Sequence, residues 1–399
     1  MNLKILVVGQ VFYPDSFRIN DIVKELAVNN DVMMITGLPD YDKGYIPKEY
    51  RFFKKRKDKY HNARVIRVPM ISRRSGALFR SLNYVSFMIT SSVYAFFLKE
   101  KFDVVFCYQT SPITMFVPGL VYAKKNKVKS VLYSTDLWPE SVKAMNIDES
   151  SRVFPILSNI SKKIYNKADQ VIVSSPSFIE YLKSVHDLDS RSIEYLPQYT
   201  DECKEIVEVK KSNFDKDKIV FTFAGNIGRV QDVDVIIRAA EILKNKNYNF
   251  KVKIVGSGSD LPSVMKLSEE LNVDDYVEFT GRKSHEEMDE IYDDTDVCIL
   301  TLKDVGYIGK TIPSKLQTYF AKSKPVVAAT SGDSKFVIQE SGAGVCVESG
   351  DVEGLANSMK LYIINPGLIN KHGQDAKVYY DEHFSREIFF GRLNKYLEA

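Results

Sequence analysis

A chain of 399 residues exceeds the length over which one hydrophobic core usually keeps growing, so two domains of ordinary size are expected. Its apolar content of 44% fits a globular protein, and four scattered cysteines without a CxxC pair (Cys107, Cys203, Cys298 and Cys346) argue against a disulfide framework or a zinc site and for a reducing compartment. The net charge of +3 hides an asymmetry: from Lys48 to Arg80 twelve Lys or Arg stand against Glu49 and Asp58, so the positive charge belongs to one patch.

The chain opens directly on the strand pattern LKILVVG, with no secretory signal peptide expected before it. A helix near Asn20 to Ala27 follows, then the strands DVMMITG and ARVIRVP, an apolar helix, DVVFCYQ, a helix near Ile113 to Lys124, SVLYSTD, a helix near Phe154 to Asn166, and QVIVSSP. YLPQYTDE, around Pro197, reads as a connection. The second half repeats the rhythm with IVFTFAG, KVKIVGSG, YVEFTG and DVCILTL, each followed by a helix, then KPVVAAT and GAGVCVE. Strands separated by helices predict two α/β domains on parallel sheets, with ligands at the carboxyl ends of the strands.

The apolar helix, SLNYVSFMITSSVYAFFL from Ser81 to Leu98, has no charged residue and is marginal in length for crossing a bilayer. An interfacial helix beside the basic patch is expected, since each Lys or Arg near an anionic membrane contributes roughly 1 kcal/mol. The competing reading is a solvated loop followed by an ordinary core helix. Nucleic acid fits less well, because the patch adjoins a long apolar stretch and no nucleic-acid module is recognisable.

Four loops in the second half share one sheet edge: GNIG at Gly225, GSGSD at Gly256, TGRKS at Gly281, and GKTIPSKLQTYFAKSKPVV from Gly309. In the first, FTFAGNIGRVQDVDVII, a strand breaks at glycine and returns as an amphipathic helix, the kind of junction whose free N–H groups receive a phosphate or carboxylate. In the last, Pro313 suits the first turn of a helix that places Ser314 and Lys315 near its positive end, where Lys315 and Lys310 would meet a diphosphate. A single glycine loop often binds nothing; four on one edge point to a nucleotide diphosphate. The five histidines, His61, His186, His285, His372 and His383, are isolated, with surface or packing roles expected. The pairs at 274–275 and 293–294 read as helix decoration rather than a metal-binding DxD.

The succession GNIGxxQ, IVGSG, FTG, IPSKLQTYFAKSKPVVA and ESGAGV resembles the donor-binding half of the retaining family-four glycosyltransferases (Glycos_transf_1 type) of GT-B fold. With FYPD near the start, DLWPES at 136 to 141 and SSPSF at 174 to 178, the whole chain is most similar to the bacterial branch containing L-fucosamine (FucNAc) transferases of surface-polysaccharide assembly. The resemblance implies an α/β, GT-B architecture: two doubly wound Rossmann-like domains facing across a cleft. Residues 1–199 would bind the acceptor, residues 200–377 the donor, and residues 378–399, YYDEHFSREIFFGRLNKYL at their core, would return to the first domain.

The same resemblance implies site residues and exposes departures. Family positions for an Arg and a Lys in the opening donor loop hold Asn226 and Gln231, leaving Arg229 and Gln231 as substitutes, and two family glutamates are replaced by Lys310 and Thr318. The donor set is then Gly225, Asn226, Arg229, Gln231, Gly256, Gly258, Arg282, Lys310, Ser314, Lys315 and Thr318. In the first domain, Tyr13, Arg18 and Trp138 would meet the acceptor. Asp136, with Glu140 second, would orient or deprotonate its hydroxyl unless these carboxylates merely cap the next helix. The implied reaction is metal-independent and cofactor-free. It moves an N-acetylated amino sugar, L-FucNAc as candidate, from a UDP-sugar to a polyprenyl-diphosphate-linked saccharide of capsule or O-antigen, in the cytoplasm at the inner face of the bacterial plasma membrane. Rival readings are a sugar-nucleotide epimerase and a non-catalytic, degenerate transferase that binds membrane or partners.

Overall fold

The computed structural model describes residues 2–398 apart from 42–43, 53, 75, 146, 190–191 and 201–217, so Cys203 lies outside the described residues. Two compact units result, Met1–Leu196 with Arg392–Ala399, and Pro197–Gly391.

The first unit is built on eight strands: β1 (Lys4–Val8), β2 (Asp31–Thr36), β3 (Lys57–Tyr60), β4 (Ala63–Arg67), β5 (Val104–Gln109), β6 (Lys129–Ser134), β7 (Gln170–Val173) and β8 (Ile193–Tyr195). They lie in the order β3-β4-β2-β1-β5-β6-β7-β8, all parallel except the β3–β4 pair. Near-continuous apolar runs such as KILVV and VVFCYQ suit strands covered on both faces, and both are buried almost throughout. The strand order reverses between β1 and β5, so the loops after β1, β5 and β6 open where ligands bind in such sheets.

Two edge strands were not predicted. β3 is KDKY, alternately exposed and half-buried, with no apolar period to betray it, and β8 is only three residues long. The neighbouring β4 corrects the basic patch, because part of it is fold. Arg64 pairs with Glu100 at 2.8 Å and Asp31 at 3.0 Å, and Arg67 is buried with Nη2 donating to Tyr13 O at 2.8 Å.

The apolar helix spans Ala77–Phe97 and turns Asn83, Phe87, Ser91 and Ala95 inward. Its outward side is also apolar: Leu78, Leu82, Val85, Ile89, Val93 and Phe96 are exposed at steps of three and four residues, which align them on one face. The helix Val153–Tyr165 exposes Val153, Ile156 and Ile160, and both helices pack on the turn Ile113–Phe116. No described helix is long and apolar enough to cross a membrane.

The second unit carries β9 (Ile219–Ala224), β10 (Phe250–Val255), β11 (Val277–Gly281), β12 (Val297–Thr301), β13 (Val326–Ala329) and β14 (Gly344–Val347) in the order β11-β10-β9-β12-β13-β14, all parallel. The helix Val233–Asn245 buries Val233, Ile236, Ile237, Ala240 and Leu243 in a core shared with Phe221, Phe223 and Ile254. Here the order reverses between β9 and β12, which puts the loops after Ala224 and Thr301 at the switch point.

The closing segment was expected to join the first domain from residue 378, yet only Arg392–Ala399 does so. Before that point aromatic packing holds it to the second unit: Tyr380 donates to Thr200 O at 3.3 Å, and Phe389 lies 4.7 Å from Tyr199 between ring centroids. Beyond it, Lys129 Nζ donates to Tyr396 O at 2.8 Å and Arg392 to Tyr195 O.

Candidate functional site

In the second unit the ends of β9 and β10 run so close that only glycine fits. Gly225 and Gly256 both have φ of +144°, and a Cβ on Gly256 would lie 1.8 Å from Gly225 O. A Cβ on Gly258 would lie 2.0 Å from Ile227 O. Gly225 N donates to Val255 O and Ile227 N to Ser257 O, each at 2.9 Å, so the two loops are laced together by backbone.

Gln231, expected as a substitute donor contact in the opening loop, does not reach outward. Its Oε1 accepts from Gly228 N and from Asn226 Nδ2, both at 3.1 Å, so Gln231 and Asn226 stabilise the loop itself. Arg229 lies exposed in the same turn. Behind it, buried Asp232 pairs with Lys303 at 3.2 Å, and Lys303 N donates to Val230 O at 2.8 Å, joining the β9 and β12 loops.

The helix Ser314–Ala321 points its N-terminus to this edge, with Pro313 just before it rather than in its first turn. Tyr319 fixes that helix: its hydroxyl accepts from Ala224 N at 3.0 Å. Ser314 is exposed, whereas Lys315 runs inward, Nζ 3.7 Å from the centroid of the Phe223 ring. That Nζ is buried without a hydrogen-bond partner, and burial pushes its pKa down to about 7. Thr318 faces another way, Oγ1 lying 3.1 Å from Thr200 Oγ1. Lys310 and Arg282 are exposed, the former ending the turn Ile308–Lys310, the latter just after β11. The structure therefore gathers Gly225, Gly256, Gly258 and Lys315, with Asn226 and Gln231 as scaffold. Tyr319, read in the sequence only as part of a helix, is the support that reasoning missed.

In the first unit a polar cluster surrounds Asp136 after β6. Its backbone carbonyl accepts from Gln109 Nε2 at 2.8 Å. Burial pushes its carboxyl up to about 7, opposed by hydrogen bonds from Ser111, Trp138 and the Leu137 N–H. Such a carboxyl exchanges its proton near neutral pH. Ser111 comes from the loop after β5 and was not singled out in sequence; its place one strand over from Asp136 was the available signal.

Glu140 is corrected by its surroundings: it is buried and paired with Lys143 at 2.8 Å, which leaves it a structural ion pair. Trp138 is likewise no exposed platform, being 8% exposed with Nε1 donating to Ser111 Oγ at 3.0 Å. His186, expected in a packing or surface role, is buried with Nε2 3.0 Å from Trp138 O, its pKa lowered by burial. Arg18 opens the helix Arg18–Asn29 and acts on the Tyr108 hydroxyl of β5. Tyr13 is exposed, its N–H donating to Asn20 Oδ1 at 2.9 Å. Among the described residues no three His, Cys, Asp or Glu side chains converge as a metal site.

Residues 205–378 match the family model described as glycosyl transferases group 1. WbjE of Pseudomonas aeruginosa, a probable glycosyltransferase, is 28% identical over 226 residues, 54% of this chain and 55% of that protein. WcaI of Escherichia coli, a putative colanic acid biosynthesis glycosyl transferase, is 21% identical over 407 residues, 96% of this chain and 97% of its own. The match thus spans about half the length of WbjE and nearly all of WcaI. Sucrose-phosphate synthase from Thermosynechococcus elongatus superposes with a TM-score of 0.74 at 18% identity, covering 99% of both chains. Anabaena HepE, solved with UDP and glucose, superposes at 0.68 and 14% identity over 100% of both. These likenesses show the GT-B fold.

Proposed function

We propose that this chain of GT-B fold, with its glycosyl transferases group 1 domain over residues 205–378, is a retaining glycosyltransferase of bacterial surface-polysaccharide synthesis. Its donor is a UDP-sugar, with an N-acetylated amino sugar such as L-FucNAc as the leading candidate. Its acceptor is a polyprenyl-diphosphate-linked saccharide of capsule or O-antigen. The names of WbjE and WcaI support the reaction class, and the UDP held by HepE supports the donor class.

The observation that carries the reading is the buried, unpartnered Lys315 Nζ beside Gly225 at the switch point of the second sheet. Breaking a sugar–nucleotide bond builds negative charge on the departing diphosphate. The free N–H groups of the helix Ser314–Ala321 and the Lys315 ammonium are suited to stabilise that charge as it grows, without a metal. Asp136 is the group proposed to orient or deprotonate the acceptor hydroxyl.

The outward apolar row of the helix Ala77–Phe97 and the basic residues that precede it support the reading of a place at the inner face of the plasma membrane. Calorimetric titration with UDP in the presence of EDTA tests the donor half: binding should survive chelation and weaken at least tenfold in Lys315→Ala. Absence of binding by folded protein would favour the non-catalytic reading, which the Lys310 and Thr318 replacements already keep in view.

A further inference from the structure

Tyr319 docks the helix Ser314–Ala321 on the end of β9, its hydroxyl 3.0 Å from Ala224 N and 3.4 Å from Ile299 O. That docking forces Lys315 over Phe223 and beside Gly225, where a Cβ would lie 3.0 Å from both Cε and Nζ. Gly225 itself is exposed, so the lysine tip is covered by a residue that contributes no side chain.

The surroundings offer the ammonium only the face of the Phe223 ring. Nζ has no hydrogen-bond partner, and burial pushes its pKa down. Nearby Tyr319 and Cys298 of β12 are kept uncharged by burial. The carboxylate of the adjoining turn, Asp232, is tied to Lys303 at 3.2 Å, and the flanking cations Arg229 and Lys310 are exposed. A cation over an aromatic face gains less, even when desolvated, than a buried, unpaired charge costs. The empty site therefore disfavours the protonated amine, while an anion at Gly225 would reverse that preference.

We propose that a nucleoside diphosphate enters this site together with a proton from solvent, taken up on Lys315 Nζ. The inference rests on the donor-site reading above and adds a coupling to pH. Burial holds the Lys315 amine of the empty protein down to about 7. A bound diphosphate stabilises the charged amine, so above that pH each binding event must recruit a proton that the empty site lacks. Affinity then falls as pH rises, by roughly tenfold per unit. Below the transition the amine already carries its proton and the dependence flattens.

The test is calorimetric titration of the full chain with UDP from about pH 7 to about pH 8.5, in two buffers of different ionisation enthalpy, with Lys315→Arg and Lys315→Met alongside. Wild type should lose roughly tenfold in affinity per pH unit and take up close to one proton per UDP at the alkaline end. Lys315→Arg, charged throughout, should bind with a flat pH profile, and Lys315→Met should bind weakly without proton exchange. Wild-type binding that is flat with pH and releases or absorbs no proton, or Lys315→Met binding like wild type, overturns the proposal and leaves the donor site standing. Folded wild type that binds no UDP at any pH overturns the donor-site reading instead.

Discussion

The buried carboxyl of Asp136 is the group proposed to carry the chemistry of the first unit. The fold favours its protonated form, so its contribution to stability is full below the ordinary aspartate range, about 3.9, and is lost as pH rises through about 7. Asp136→Asn, which cannot ionise, should therefore raise the melting temperature at about pH 8 and change it little at about pH 4. The same variant should lose transfer by about 100-fold or more while UDP affinity stays unchanged; unchanged turnover would remove Asp136 from the catalytic role. Gly256 makes a second residue-scale case. Its φ of +144° and the 1.8 Å approach of a Cβ to Gly225 O leave no room for alanine, so Gly256→Ala should cost at least roughly 1–3 kcal/mol in denaturant unfolding and displace the loop that holds Gly225.

At the scale of elements, the helix Ala77–Phe97 does two things with one sequence. Asn83, Phe87 and Ala95 hold it in the first unit, and Leu82, Val85, Ile89 and Val93 face solvent. Ile89→Glu should abolish most binding to vesicles containing anionic lipid, with a melting temperature within a degree or two of wild type because Ile89 is 53% exposed. A variant that floats with vesicles as wild type does would mean the exposed row has another use. The helix Ser314–Ala321 depends on Tyr319 for its place, so Tyr319→Phe should leave Ala224 N unpaired, cost roughly 1–3 kcal/mol, and weaken UDP binding several-fold in the same titration.

These elements also mark what was legible in the sequence. The central strands announced themselves through runs such as KILVV and IVFTFA, and the glycine loop after β9 through its break in apolar pattern. The helix Gly332–Ser341 between KPVVAAT and GAGVCVE was missed, because GDSKFVIQES spreads few apolar residues around a short helix. β3 was missed for the reason that charged edge strands usually are: KDKY buries little.

For the whole molecule, the ordered motifs gave a GT-B reading that the structural likenesses bear out, although each motif alone was loose. Charge was harder to read than fold. Arg64 and Arg67 counted toward a surface patch, yet Arg64 is tied to Glu100 and Asp31 and Arg67 is buried; Glu140 is bound to Lys143, and Trp138 packs inward. Conversely, the isolation of Lys315 depends on where Phe223 and Gly225 fall around it, which no spacing along the chain expresses.

The most direct measurement is sugar transfer by the full chain from a panel of UDP-sugars, UDP-N-acetylated amino sugars included, to a polyprenyl-diphosphate-linked saccharide in detergent with EDTA present. The account predicts UDP release matched mole for mole by an extended lipid-linked product, with configuration at the transferred carbon retained and product lost in Asp136→Asn. UDP binding without a glycosylated product from any member of the panel would contradict it, and a free sugar-nucleotide isomer as the product would point to epimerisation.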